Sequence, residues 1–114
     1  MEIDKELMAG TTPLLVLSVL RKQENYGYGI IRELASRSNN TFHLKEGTLY
    51  PLLHGMENKG YLTSYLRETE NGRRRKYYRI TPKGLALLES KTQQWSFFAQ
   101  KVNEVVFNEM TALT

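Results

Sequence analysis

Residues Tyr61–Lys83 read YLTSYLRETENGRRRKYYRITPK, and this stretch decides the fold. Tyr61–Glu70 and Arg73–Ile80 alternate in the β manner on either side of Asn71-Gly72. Asn-Gly accepts positive φ at both turn positions, so a tight two-residue type I′ hairpin is expected. In an extended strand Arg73 and Arg75 share one face, and Arg74 and Lys76 the other. Tyr77 and Tyr78 are expected to pack within the strand pair. Between Arg67 and Lys83 stand seven basic side chains and two acidic ones, a local +5 in a chain of net +4, so the remainder sums to −1. A basic block concentrated in this way is the footprint of a polyanion contact.

Downstream, Thr81 caps the last helix and Pro82 takes its first position, where a missing N–H costs least. That helix is expected to run to about Met110, roughly 40 Å at ~1.5 Å per residue. Leu88, Thr92, Trp95, Ala99, Val102, Val106, Glu109 and Leu113 follow a 4-3-4-3-4-3-4 spacing, with Phe98 and Val105 widening the stripe. This is a heptad seam, imperfect at Thr92 and Glu109. So long a stripe exceeds what a small domain can cover, which predicts a symmetric homodimer. Leu88, Trp95, Val102 and Val106 are its dimerisation candidates.

Upstream, a helix is expected over Glu46–Lys59, ending at Gly60. Leu49, Leu52, Leu53 and Met56 form its buried face. Pro51 falls in or just after the first turn. The opposite face carries Thr48, Tyr50, Pro51, His54, Gly55 and Asn58 in place of the usual Glu/Lys carpet, so it can approach base edges in a major groove. Thr41–Leu44 is expected to form a short strand, Ile30–Ser38 a helix, and Gln23–Gly29 a glycine-containing turn. Pro13–Leu20 is apolar almost all round and reads as a buried helix. Either Thr12 caps it with Pro13 first, or it continues a helix begun at Asp4–Ala9 and kinks at Pro13; the residues leave both open.

The 114 residues suit one compact chain, divided as a DNA-binding part over 1–81 and a dimerisation helix over 82–114. The fold class is mainly α (α+β): a winged helix-turn-helix with a two-stranded β wing and a long C-terminal dimerisation helix. Cysteine is absent, which excludes disulfides and thiolate metal sites, and His43 and His54 have no ligand spacing, so no metal or cofactor is expected. No nucleophile–base set or phosphate loop supports an enzyme, and no catalytic residue is assigned. Met1–Gly10 does not read as a signal peptide, and the apolar stretch Pro13–Leu20 is too short to span a bilayer, so a cytoplasmic location away from membranes is expected.

The expected partner is double-stranded DNA. Arg73, Arg74 and Arg75 offer forked donors to phosphate oxygens. Lys45 is placed for a phosphate just before the helix, while Thr48, Tyr50, Pro51 and His54 face the groove. Two copies set two such helices at half-sites one DNA turn apart, which suits an inverted repeat. A protein-interaction module using the basic hairpin on an acidic partner is the alternative reading.

The stretches Tyr26–Ile31 (YGYGII), Glu46–Leu53 (EGTLYPLL), Gly60–Leu62 (GYL) and Arg73–Gly84 (RRRKYYRITPKG) resemble the PadR family of transcriptional regulators over roughly residues 10–90. The single C-terminal helix is similar to that of the compact, multidrug-sensing branch. The resemblance implies a homodimeric repressor released by a small molecule. It implies a recognition helix at Glu46–Lys59 and a wing tip at Asn71–Arg73. Trp95-Ser96 stands where compact members line a flat central cavity, which makes Trp95, with Ala99 one turn on, the effector-binding candidates. A planar aromatic or lipophilic ligand suits such a slab. Two positions depart from the family pattern: Gly55 replaces a usually basic residue, and Pro13 is unusual in the first helix.

Overall fold

The computed structural model describes residues 1–112, with side chains to Asn108. Leu113 of the expected seam lies outside the described residues, and Glu109 is described by its backbone alone. The elements are α1 (Lys5–Met8), α2 (Thr12–Lys22), β1 (Asn25–Tyr26), α3 (Gly27–Arg37), α4 (Glu46–Asn58), β2 (Leu62–Glu68), β3 (Arg74–Ile80) and α5 (Pro82–Ala112).

The N-terminal helix breaks at Gly10, not at Pro13. Gly10 takes φ +86°, a left-handed value that ends α1 at low cost. The Thr11 and Thr12 hydroxyls both donate back to the Met8 carbonyl, at 2.8 and 3.4 Å. Thr11 occupies the cap position of α2 without a side-chain cap bond, Thr12 is the first helical residue, and Pro13 follows it. Thr12 is therefore not the cap. Beyond it, Val16, Leu17, Val19 and Leu20 are buried, as an all-apolar helix requires.

Thr41–Leu44 is not a strand. Asn39 and Asn40 both take left-handed φ, and the Thr41 and Phe42 N–H groups donate to the Ser38 carbonyl and hydroxyl. Two of its four N–H groups are thus turned back to the end of α3 rather than toward a neighbouring strand. The third strand is Asn25–Tyr26 instead, inside the expected turn, and it pairs antiparallel with β3 to give the order β1-β3-β2. The next helix then begins at Gly27, three residues before the expected Ile30.

Leu49, Leu53 and Met56 of α4 are buried and Leu52 is half-buried. Gly60, at φ +85°, closes the helix: its N–H bonds the Glu57 carbonyl and the Tyr61 N–H bonds the Met56 carbonyl, a Schellman arrangement.

The hairpin differs from a two-residue turn. Gly72 has φ +74°, but Asn71 keeps negative φ. Gly72 N–H bonds the Thr69 carbonyl and Thr69 N–H bonds the Arg73 carbonyl. The loop is thus Glu70-Asn71-Gly72, a type I turn closed by a left-handed glycine bulge. Glu68 pairs with Arg74, and the register runs on to Leu62 opposite Ile80. That register puts Leu62, Tyr78 and Ile80 on the core face of the sheet, where Leu62 and Tyr78 are buried.

The first turns of α5 are built into the body. Thr81 Oγ accepts the Gly84 N–H, as an N-cap should. At Gly84 a Cβ would lie 2.2 Å from the Tyr61 carbonyl oxygen, so only glycine fits. Leu88 is 2% exposed and belongs to the core formed with α2, α3 and α4. It is consequently not available to a partner, and the expected seam loses its first position. Past that point the helix leaves the body. Trp95 is 46% exposed, Phe98 61% and Val105 79%, with Val102 and Val106 also exposed.

Candidate nucleic-acid interface

The outward face of α4 is presented as its spacing suggests. Thr48, Tyr50, Pro51, His54 and Asn58 are exposed. Lys45 is exposed at the N-cap position, its carbonyl accepting the Thr48 and Leu49 N–H groups. Pro51 is the sixth helical residue, so the Gly47 carbonyl lacks its usual helical donor. A Cβ at Gly55 would meet nothing within 4 Å, so the glycine leaves an open gap on the face.

Tyr50 does two things at once. Its hydroxyl end lies against Gly27, where a Cβ would come within 2.5 Å of the oxygen, yet 43% of the residue is exposed. This contact explains the glycine at the start of α3. Burial, and secondarily the Glu46 carboxylate, raises the Tyr50 phenol above its ordinary value, so it stays protonated and can donate a hydrogen bond.

The three arginines of the wing are not equivalent. Arg73 lies in the loop at the tip, and Arg74 follows it; both are exposed. Arg75 is half-buried with its guanidinium 4.5 Å from the Tyr26 ring centre. Arg74 and Lys76 share the other face, as alternation requires. Lys76 is held 3.6 Å from Glu57 of α4 and lies over the Tyr78 ring. Tyr26, Gly27, Tyr50, His54, Arg75, Lys76 and Tyr78 enclose a hollow of about 410 Å³ between the helix and the sheet. The structure thus brings Tyr50 and His54 together with Arg75. Arg73 and Arg74 stand apart at the tip, and Lys45 and Thr48 lie at the N-terminal end of α4.

The outer face of the sheet holds an alternation of tyrosine and arginine that was readable in the strands but not singled out. Tyr77 sits between Tyr26 and Tyr65, with ring centres 5.4 and 6.0 Å away. Arg67 lies over Tyr77 and Arg79 over Tyr65, on cross-strand diagonals. The Glu24 carboxylate accepts hydrogen bonds from the Tyr65 hydroxyl and, at 2.9 Å, from Arg79 Nε. These bonds hold Glu24 below the ordinary carboxylate value, the tyrosine bond contributing most, and raise Tyr65 and Arg79 above theirs. The packing roles expected for Tyr77 and Tyr78 hold, Tyr78 being 4% exposed.

Trp95 stacks obliquely on Phe98 at 6.2 Å, and both line a hollow of about 300 Å³ against Ala9–Thr11 and Leu14. Ala99, half-buried, lies outside that hollow. No group of metal-ligating side chains occurs among the described residues, and no helix there is long and apolar enough to cross a membrane.

The sequence and the fold are similar to those of known proteins. The chain is 33% identical over 98 residues to a transcriptional regulator of Mycobacterium tuberculosis, spanning 86% of this chain and 88% of that one. A transcriptional regulator from Clostridium thermocellum superposes with a TM-score of 0.82 at 31% identity, covering 90% of this chain and 99% of the other. A PadR family transcription regulator from Clostridium difficile superposes at 0.75 with 39% identity, covering 85% and 99%. These relatives are regulators rather than enzymes. The model of the transcriptional regulator PadR-like family matches residues 16–90, most of the chain, and the protein belongs to that family.

Proposed function

We propose that this regulator is a homodimeric, sequence-specific DNA-binding repressor released by a small molecule. The observation that carries the DNA reading is the convergence of the sparse α4 face and the cationic wing around one hollow. Tyr50 and His54 meet Arg75 there, while Arg73 and Arg74 extend past it, exposed. Helix residues of this kind hydrogen-bond base edges, and the wing arginines take phosphates. Lys45, at the N-terminal end of the helix, takes a phosphate, and Thr48 faces the groove with Tyr50, Pro51 and His54.

The exposed apolar run of Trp95, Phe98, Val102, Val105 and Val106 supports the dimer, because a contiguous patch of this size on a free surface marks an association site. The Trp95–Phe98 hollow supports an effector site for a planar aromatic or lipophilic molecule, completed by the second copy.

Fluorescence anisotropy with a labelled duplex from the promoter of the protein's own gene tests the reading. Saturable binding that weakens steeply with salt is expected. Binding to an acidic protein with no binding to duplex would replace it with the interaction-module reading.

A further inference from the structure

Arg73, Arg74, Arg75 and Lys76 are consecutive cations, yet of these only Lys76 pairs with a carboxylate among the described residues. That carboxylate, Glu57, stands in the last turn of α4, three residues after His54 and so on the same helical face. It is half-buried and reaches both strands of the wing. One oxygen accepts the Ser64 hydroxyl of β2, and the other lies 3.6 Å from Lys76 Nζ of β3. The Tyr78 ring centre is 5.5 Å from the same ammonium. An isolated exposed ion pair holds its side chains weakly. Here the serine bond orients the carboxylate and the ring backs the ammonium, so the pair has two further restraints.

We infer that Glu57 is a positioning residue that withholds Lys76 from DNA: its carboxylate stands where a phosphate would, and the wing meets the backbone with its arginines alone. The inference rests on the DNA reading above. Lys76 lines the same hollow as Tyr50, His54 and Arg75, so distance does not remove it from the interface. A phosphate can recruit this lysine only by displacing an anion already bound to it. Sequence-independent affinity grows with every phosphate a protein neutralises. By keeping one cation occupied, Glu57 limits what the wing adds to that affinity, and an element that weakens binding to the wrong sites is one of the two routes to specificity.

The test compares Glu57→Gln, Lys76→Ala and the double variant in the full chain. The glutamine amide oxygen still accepts the Ser64 hydroxyl but has no charge to hold Lys76. On a duplex of scrambled sequence, the slope of log K against log salt should be steeper in Glu57→Gln by about 0.9 per protomer, about 1.8 in the proposed dimer. Between 50 and 200 mM salt this variant should then lose about twelvefold more affinity than wild type. Lys76→Ala and the double variant should keep the wild-type slope. Net charge alone would give another pattern, with Lys76→Ala shallower by as much as Glu57→Gln is steeper. That pattern, or a wild-type slope in Glu57→Gln, overturns the inference. If Glu57→Gln fails to fold, Lys76→Ala decides: an unchanged slope supports the inference and a shallower one overturns it.

A second readout needs no DNA. In 13C-labelled protein, sodium tripolyphosphate should shift the Lys76 ε-methylene resonance saturably in Glu57→Gln and leave it unmoved in wild type. Equal shifts in the two proteins overturn the inference. A wild type that binds no duplex at all defeats the DNA reading, while this titration still decides whether Glu57 withholds Lys76 from phosphate.

Discussion

The wing arginines allow a sharp prediction because the structure divides them. Arg73 and Arg74 are exposed at the tip and unpaired by any acid among the described residues, whereas Arg75 rests on Tyr26. If the protein binds DNA as the proposed dimer, the double variant Arg73→Ala/Arg74→Ala removes two phosphate partners per protomer, four in all. Each neutralised phosphate contributes about −0.9 to the slope of log K against log salt, so the slope should become shallower by about 3.6. Between 50 and 200 mM salt the wild type should then lose about 150-fold more affinity than the variant, since a fourfold change raised to the power 3.6 is about 150. Arg75→Ala should behave differently. It changes the slope by a smaller amount but lowers stability, by about 0.5–1 kcal/mol for a partly exposed cation–π contact. Anisotropy titrations at four or more salt concentrations give the slopes, and thermal melts give the stability. Equal slopes for wild type and the double variant would refute the tip assignment. So would a slope change in Arg75→Ala as large as that of the double variant.

Along α5, Leu88→Ala should cost about 2–5 kcal/mol of stability, because it empties a core position, whereas Val105→Ala should leave the melting of the body nearly unchanged and weaken self-association instead. Melts with sedimentation velocity separate the two. Gly84→Ala should destabilise by about 2–3 kcal/mol despite its better helix propensity, since the Tyr61 carbonyl in its way is backbone; urea unfolding reads this directly. Glu24 should make stability depend on pH. Its carboxyl is held below the ordinary value, chiefly by the Tyr65 hydrogen bond, so its contribution is present above the ordinary carboxylate value and is lost as pH falls through the lower folded one. Glu24→Gln should therefore melt earlier than wild type at neutral pH, and the gap should close in acid below that range. A gap that persisted in acid would show that the carboxylate charge is not what holds the ladder.

Much of this architecture was legible because it rests on local chemistry. The i, i+3, i+4, i+7 pattern of Leu49, Leu52, Leu53 and Met56 sets the buried face of α4 and therefore its free one. Gly60, Thr81 and Pro82 mark helix ends by their own conformational limits. What escaped depends on partners distant in sequence. Asn71-Gly72 is compatible with two loop lengths, and the choice between them falls to Leu62 and Tyr78, which must both face the core. Strand β1 is two residues long, too short to show any period, and exists because Asn25 and Tyr26 find Tyr78 and Tyr77 opposite. The stripe on α5 is continuous in sequence, but it serves the chain's own core at Leu88 and open surface from Trp95 onward. Spacing alone cannot mark where one use gives way to the other. Of the candidate site, the α4 face was legible residue by residue, while the unequal status of Arg73, Arg74 and Arg75 required the position of Tyr26.

The join at Gly84 has a mechanical meaning. Thr81 donates from its N–H to the Tyr61 carbonyl and from its hydroxyl to the Gly60 carbonyl, and Lys83 Nζ donates to the Lys59 carbonyl, so the start of α5 is riveted to the end of α4. The bare Cα of Gly84 is seated against Tyr61, so the start of α5 rests directly on the turn that ends α4. α5 is then a shaft of about 46 Å (31 residues at ~1.5 Å each) whose outer part carries the exposed apolar run and whose near end is bonded to the end of α4. On the DNA-binding reading proposed above, a reorientation of the shaft reaches α4 through these three bonds.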